Sequence, residues 1–409
     1  MTTTLQRPTE RITPARTRPS TLLLGAVTAL PALSIDAYLP ALPVLARDLG
    51  TTPAAAQLTL TAVLLGIALG QLLGGALSDR LGRRLPLLAG LATFVVAAML
   101  CAVAPTLPAL VALRFVMGLG GGASVVVARA VVRDGAEGAQ AARMFARLML
   151  VMGVVPVLAP VLGAQLLHVT SWRGVFAGLV LLGVVLFVVV VRRLPETLEP
   201  RDRADGSLRD TLRAFAVVLR DRAFVGYALA AALSSGAMFA YISASPFVLE
   251  EVEGLSPAAF SVVFAANAAG LIAASQLSAR LVARTGPRPL LLAGLSMAAV
   301  AGAVLVVVAL LDAPLPLLLA GLFATLASIG FVAPNATALA LQEHGAQAGT
   351  ASALIGLGQF VTGAVAAPLT GLVGAPGALP LAVVVAGFAL AALAASALTR
   401  PARLVLATA

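Results

Sequence analysis

The chain has 409 residues, of which 60% are hydrophobic and only 11% charged, and its mean hydropathy is +1.03. That balance excludes a soluble globular domain and marks an integral membrane protein; at about 20 apolar residues per crossing plus a turn, the length holds about twelve spans and no sizeable soluble domain. The formal net charge of +10 rests on 27 basic residues, all arginine, and a single cysteine, Cys101, excludes an internal disulfide or a multi-cysteine metal centre.

The first twenty residues are rich in Arg and Thr and enter an apolar run without a small-residue cleavage pattern, so the first helix is expected to insert the chain and to stay. Twelve apolar runs follow, at about 20–45, 54–78, 85–104, 107–132, 139–168, 172–192, 223–248, 256–282, 289–311, 314–341, 348–372 and 377–399. Gly and Pro interrupt them, as bilayer helices tolerate, and the prediction is an all-α integral membrane protein rather than a barrel. With both termini inside, Arg7, Arg11, Arg16 and Arg18, then Arg80, Arg83 and Arg84, then Arg129, Arg133, Arg143 and Arg147 all fall on inner connections. The central loop and Arg280, Arg284, Arg288, Arg400 and Arg403 continue the pattern, and only Arg47 and Arg173 face out. This is the positive-inside rule with an even number of spans. The charge is therefore mostly topology, and nucleic acid is not an expected partner. The central loop also carries Glu196, Glu199, Asp202, Asp205, Asp210 and Asp221, which reads as a mixed, solvated linker.

That linker divides the chain into a tail (1–20), a six-helix bundle (21–192), the central loop (193–222), a second six-helix bundle (223–399) and a C-terminal tail (400–409). Two echoes support the cut. Ala37-Tyr38 followed by Pro43 recurs as Ala240-Tyr241 followed by Pro246, with Phe239 where Asp36 stands; Arg80-Leu81-Gly82-Arg83-Arg84 recurs as Arg284-Thr285-Gly286-Pro287-Arg288. Offsets of 203 and 204 residues, nearly the same, argue for two pseudo-symmetric halves, the architecture of transporters that rock about a midplane site.

In the first span, Asp36 lies at membrane depth, where an ionisable group costs roughly 2.5–3.5 kcal/mol on insertion scales and marks a proton, ion or substrate site by default. A structural hydrogen bond near the Pro-bent end of the helix is the alternative. Between spans two and three, Gly75-Ala76-Leu77-Ser78-Asp79-Arg80-Leu81-Gly82-Arg83-Arg84 offers a small residue for close helix approach, an acceptor, a turn-forming glycine and anchoring arginines. This string resembles, at every position, the signature loop of the major facilitator superfamily. The resemblance implies that Gly75, Asp79, Arg80, Gly82, Arg83 and Arg84 latch the two halves in the outward-facing state; in the second copy Ala283 replaces the aspartate, and the role is not carried there.

In the fourth span, Arg114, Gly118 and Gly120 are similar to the superfamily's R-x-x-x-G-x-G, whose arginine is implicated in proton coupling. The alternative is a structural tie to a backbone carbonyl. No strand precedes these glycines, which excludes a nucleotide fingerprint and leaves close helix packing. In the fifth span, Gly153, Pro156, Pro160 and Gly163 resemble a loose antiporter motif of exporters; ordinary proline kinks are the alternative.

The stretch Ser34–Pro43 resembles the opening helix of the bicyclomycin and chloramphenicol resistance branch of drug:proton antiporters, over nearly the whole chain and in the same order. The resemblance implies a home in the bacterial inner membrane, with both termini cytoplasmic, and a monomer that exports small-molecule drugs. It needs no cofactor beyond the proton gradient. Asp36 and Tyr38 are the candidate substrate contacts, and Asp36 with Arg114 the proton-coupling pair. Asp36 is expected to take a proton outside after drug release and to lose it inside as the next drug binds. An importer of a metabolite or amino-acid-like solute on the same fold is the competing reading. An enzyme is not expected: no His-Glu-x-x-His, paired-aspartate metal motif or catalytic Ser or Cys beside a His is present, and the loops are short.

Other polar residues at membrane depth are Gln57, Gln71, Asn267, Gln276, Asn335 and Gln359, which either line the cavity or tie helices together. Glu250, Glu251 and Glu253 read as an acidic outer rim or a solvated loop, and His168 and His344 as surface residues near span ends.

Overall fold

The computed structural model describes residues 20–135, 138–203, 208–342, 344 and 347–399. The two predicted tails lie almost wholly outside them. In the first half, α1 (Thr21–Asp36) breaks into a 3-10 turn (Leu39–Ala41) and resumes as α2 (Leu42–Asp48); α3 (Pro53–Leu81), α4 (Arg84–Ala102), α5 (Leu107–Gly135), α6 (Gly138–Val169) and α7 (Trp172–Arg193) follow. After α8 (Leu208–Val218), the second half comprises α9 (Arg222–Pro246), α10 (Pro257–Thr285), α11 (Pro287–Leu310), α12 (Leu315–Leu341), α13 (Ala348–Val373) and α14 (Ala378–Ser396). Twelve of these segments are long and apolar enough to cross a bilayer, with α1 and α2 counted as one. The all-α fold of two six-helix bundles stands as predicted.

The repeat is built into the backbone. Thr52 and Ser256 each cap a helix through the side-chain oxygen, Pro53 and Pro257 each occupy the first turn, and α3 and α10 are both 29 residues long, each pair 204 positions apart. Gly50 and Gly254, then Gly82 and Gly286, keep that separation and all have positive φ, where a side chain would be strained.

Small residues let helices touch backbone to backbone. Gly66, Gly70 and Gly74 on α3 face Phe115, Leu119 and Ala123 on α5, and in return Gly118 and Gly122 face Val63 and Ile67. A Cβ on Gly118 would stand 2.3 Å from the Val63 carbonyl oxygen. Gly120, the other glycine of the fourth-span pattern, serves a different neighbour, Gly90 of α4. Close packing of this kind drives association in lipid, where the hydrophobic effect between helices is absent. Gly118→Ala is therefore expected to lower stability by about 1–3 kcal/mol. A fall in the detergent unfolding midpoint would show it, against an unchanged midpoint for Gly387→Ala, which has open space around its Cα.

The central loop departs from expectation. It contains α8, which packs against both α3 and α13 and buries Phe215 and Val218. Two apolar side chains on one face among arginines are enough to dock a short helix that a reading by charge took as solvated.

Candidate functional site

The span that carries Asp36 is not one helix. Pro40 and Pro43 lack N–H groups and force the chain out of α geometry, so α1 stops at Asp36 and the 3-10 turn redirects the backbone. Non-helical backbone at this depth is tolerated where protein or a cavity surrounds it. Asp36 is 6% exposed and has no hydrogen-bond or ion-pair partner among the described residues. The break is pinned from behind by α6: a Cβ on Gly163 would lie 2.0 Å from the Ala37 carbonyl oxygen, so only glycine admits this approach.

Arg114 and Asp36 do not pair. Arg114 is fully buried, donates from Nη1 to the Ser34 carbonyl at 3.0 Å, and leaves Nε and Nη2 without partners. Its guanidinium lies 4.7 Å from the centroid of Tyr38 and 5.7 Å from that of Phe176, an aromatic cradle that stabilises a desolvated cation. The tie to a backbone carbonyl is thus the geometry present. Tyr38 is also fully buried, with its hydroxyl 3.2 Å from Thr59 Oγ1 and its ring against Phe176. It forms the wall beneath Arg114 rather than an open contact surface. In the second half, Phe239 occupies the place of Asp36, and Tyr241 accepts from Asn267 Nδ2 at 2.8 Å while stacking on Phe264. Asn267 and Asn335, which donates to Ser278 at 2.7 Å, are helix-to-helix ties.

The halves are held together at the face opposite the arginine-rich loops. Gln57 Nε2 donates to the Ser243 carbonyl at 3.2 Å and to Thr370 Oγ1 at 3.3 Å; Thr61 donates to the Ala364 carbonyl, and Ser261 to the Pro160 carbonyl. Arg47 and Glu251 form an ion pair across the same seam at 3.1 Å. Pro156 and Pro160 lie inside α6, and a Cβ added to Gly153 would stand 3.7 Å from the side-chain tip of Ile272 of the second half, so the fifth-span motif runs along the interface. Glu250 and Glu251 lie not in a loop but in a π-helical turn (Phe247–Val252) that continues α9, with Glu251 exposed and Glu250 half-buried.

The signature loop is organised around Arg83, only 3% exposed. Its guanidinium donates to Asp79, to Ser78 at 3.0 Å and to Asp134 of α5 at 2.7 Å. Burial works against that charge, but the two carboxylates outweigh it and hold Arg83 above the ordinary arginine range. Glu196 closes the other side, accepting from the backbone N–H groups of Arg83 at 2.7 Å and Arg84 at 3.1 Å. Arg84 also reaches the Val191 carbonyl, and Gly82 turns the chain at φ +90° under Glu196. Asp79, Arg83 and Arg84 are thus tied within the first half. Asp134 was missed by sequence reasoning and Glu196 was seen only as loop charge; the usable signal was that a buried arginine in a tight turn requires carboxylates.

On the second half, His344 was expected at the surface without a partner. Instead its Nε2 lies 2.9 Å from Asp221 and its ring sits edge-on to Phe224. Burial opposes ionisation of Asp221, but the Ala223 N–H, His344 and the Phe224 N–H keep it below its ordinary 3.8; four backbone N–H groups likewise hold Glu196 below 4.5 against burial. Both contributions are present above those ordinary values and are lost as pH falls through the lower folded ones. Acidification below about pH 4 is expected to free both turns. Hydrogen exchange of peptides covering 193–222, corrected for intrinsic rates, should then accelerate relative to the spans.

Two six-helix halves, an acid at a helix break and a seam closed on one face define a membrane transporter. The chain belongs to the Major Facilitator Superfamily, whose family profile matches residues 24–368. It is 36% identical over 352 residues to an uncharacterized MFS-type transporter, YdgK, of Bacillus subtilis, covering 86% of this chain and 88% of that one. It is 31% identical to a bicyclomycin resistance protein homolog of Haemophilus influenzae (84% and 86% covered) and 32% to a chloramphenicol resistance protein of Pseudomonas aeruginosa (80% and 76%). Among solved structures, a bacterial homolog of the human lysosomal transporter Spinster, inward-facing and occupied, superposes with a TM-score of 0.70 at 16% identity, covering 93% of each chain. The nucleoside transporter NupG gives 0.72 at 12%, covering 93% of this chain and 99% of that one; both show the fold alone.

Proposed function

We propose that this transporter exports small-molecule drugs from the bacterial cytoplasm in exchange for protons, with both termini inside the cell. The observation that carries the reading is Asp36. A partnerless carboxyl at the broken end of a spanning helix has no structural bond to maintain, so its protonation is free to couple to substrate exchange. The drug-resistance relatives support export of antibiotics. Arg114 acts from the other side of the same break, where it holds the Ser34 carbonyl and so fixes the geometry in which Asp36 is presented. The seam joined by Gln57, Thr370 and Arg47 corresponds to a state closed toward the outside. Drug and proton then compete for the cavity from the arginine-rich side, and rocking of the halves exchanges access.

Inverted membrane vesicles test this. Adding chloramphenicol or another substrate to energised vesicles is expected to discharge part of the proton gradient. A chain that raises no drug tolerance and instead restores growth on a scarce solute would establish the importer reading.

A further inference from the structure

The closed seam holds a second acid that the exchange at Asp36 does not use. Where α9 ends at Pro246, the chain widens into the π turn and lies against α2 of the first half. Such turns concentrate at functional sites because the extra residue re-aims side chains. Here it brings two consecutive glutamates to one arginine. Glu251 forms the ion pair with Arg47, both in contact with water. Glu250 is half-buried beside the buried Phe247, Val248 and Leu249, and its Oε1 is shut off from solvent with no hydrogen-bond partner.

The charges around Glu250 can be named. Glu251 repels it from the same turn and Arg47 attracts it from α2. Asp48, the other acid of α2, is committed to Trp172 and Arg173. Glu253 follows the turn, Tyr241 of α9 is bonded to Asn267, and α10 carries no charge before Arg280. An ionised Glu250 would therefore be a half-buried anion beside a second anion, with its neighbouring cation Arg47 already engaged by Glu251. Relieving that strain requires water at the sealed Oε1, which parting the π turn from α2 would admit. A neutral Glu250 leaves the contact intact.

We infer that Glu250 is a proton-operated lock on this face: protonated, it lets the π turn seat against α2 and Arg47 hold Glu251; ionised, with its proton released to water, it unseats the turn and opens the seam. The lock rests on the alternating access proposed above but is separate from the exchange at Asp36.

The test reads the gate without transport. Ala244 lines the cleft at the seam beside Gln57 and Thr370 and is 3% exposed; Ala375, on the rim of that cleft, is exposed. In a Cys101→Ser background, Ala244→Cys is labelled with a polar maleimide in nanodiscs, and its rate is divided by that of Ala375→Cys to remove the titration of the thiol itself. This ratio is expected to rise about tenfold between about pH 5.5 and about pH 8.5. Glu250→Gln should hold it low and flat. Asp36→Asn should preserve the rise, so loss of the antiport reading leaves the lock standing. A flat profile in the Glu250-containing chain, or a Glu250→Gln profile that follows it, overturns the lock; the first outcome needs no variant of Glu250 to fold.

Discussion

Replacing Asp36 by Asn is expected to give a folded protein that no longer exchanges drug for protons. Asparagine keeps the size of the side chain, and Asp36 has no hydrogen-bond or ion-pair partner among the described residues, so nothing is stranded by the exchange. The unfolding midpoint should match that of the unaltered protein. Drug-driven proton movement in vesicles should fall by about two orders of magnitude, the lower end of what a positioned proton-transferring group contributes. Cells expressing the variant at equal level should become as susceptible as cells without the transporter. Unchanged tolerance would remove Asp36 from the mechanism. Arg114 offers no such clean test, because truncating it frees the Ser34 carbonyl and empties the cradle of Tyr38 and Phe176 at once.

What could be read from the sequence is what depends on local spacing. Runs of apolar residues located all twelve spans, because a bilayer fixes helix length, and the first span reached Asp48 rather than about 45 only because a proline break does not end a crossing. The echoes of Ala37-Tyr38 and Arg80–Arg84 located the repeat that the glycines at 50, 82, 254 and 286 now display in the backbone. Partners across the chain were not legible. Arg83 meets Asp134 at a separation of 51 residues and Glu196 at 113, and nothing in local composition links them. The same holds for His344 with Asp221. Asp36 and Arg114 are both ionisable groups at membrane depth, and pairing them is the economical expectation. The structure places the guanidinium on Ser34, two residues before Asp36, because the break after Asp36 turns Tyr38 under Arg114. Glu250 and Glu251 likewise look alike in sequence, and only the π turn gives one a partner and the other none.

Removal of the Asp134 carboxylate is expected to be the most destabilising change in the signature loop, at about 3–5 kcal/mol, since it leaves a buried guanidinium short of its partner. The argument rests on exposure: the Arg83 side chain is 4% exposed and that of Asp134 15%, so water cannot replace the lost acceptor. Asp79 also binds Arg83, yet its side chain is 47% exposed, and Asp79→Ala should cost about 1 kcal/mol or less because solvent already screens that pair. The ordering Asp134→Ala well below Asp79→Ala in detergent unfolding midpoint is the first readout. A double variant, Arg83→Met with Asp134→Ala, removes both charges and should recover part of the loss, because the penalty lies in the unpaired ion and not in the missing bond. Equal midpoints for the two aspartate variants, or additive losses in the double variant, would show that Asp134 does not balance Arg83. If Asp79 latches the halves, its variant should also shift labelling of Ala244→Cys at the far seam while remaining folded, and the loop's two aspartates would then divide their work, Asp134 holding the arginine and Asp79 answering to the other half.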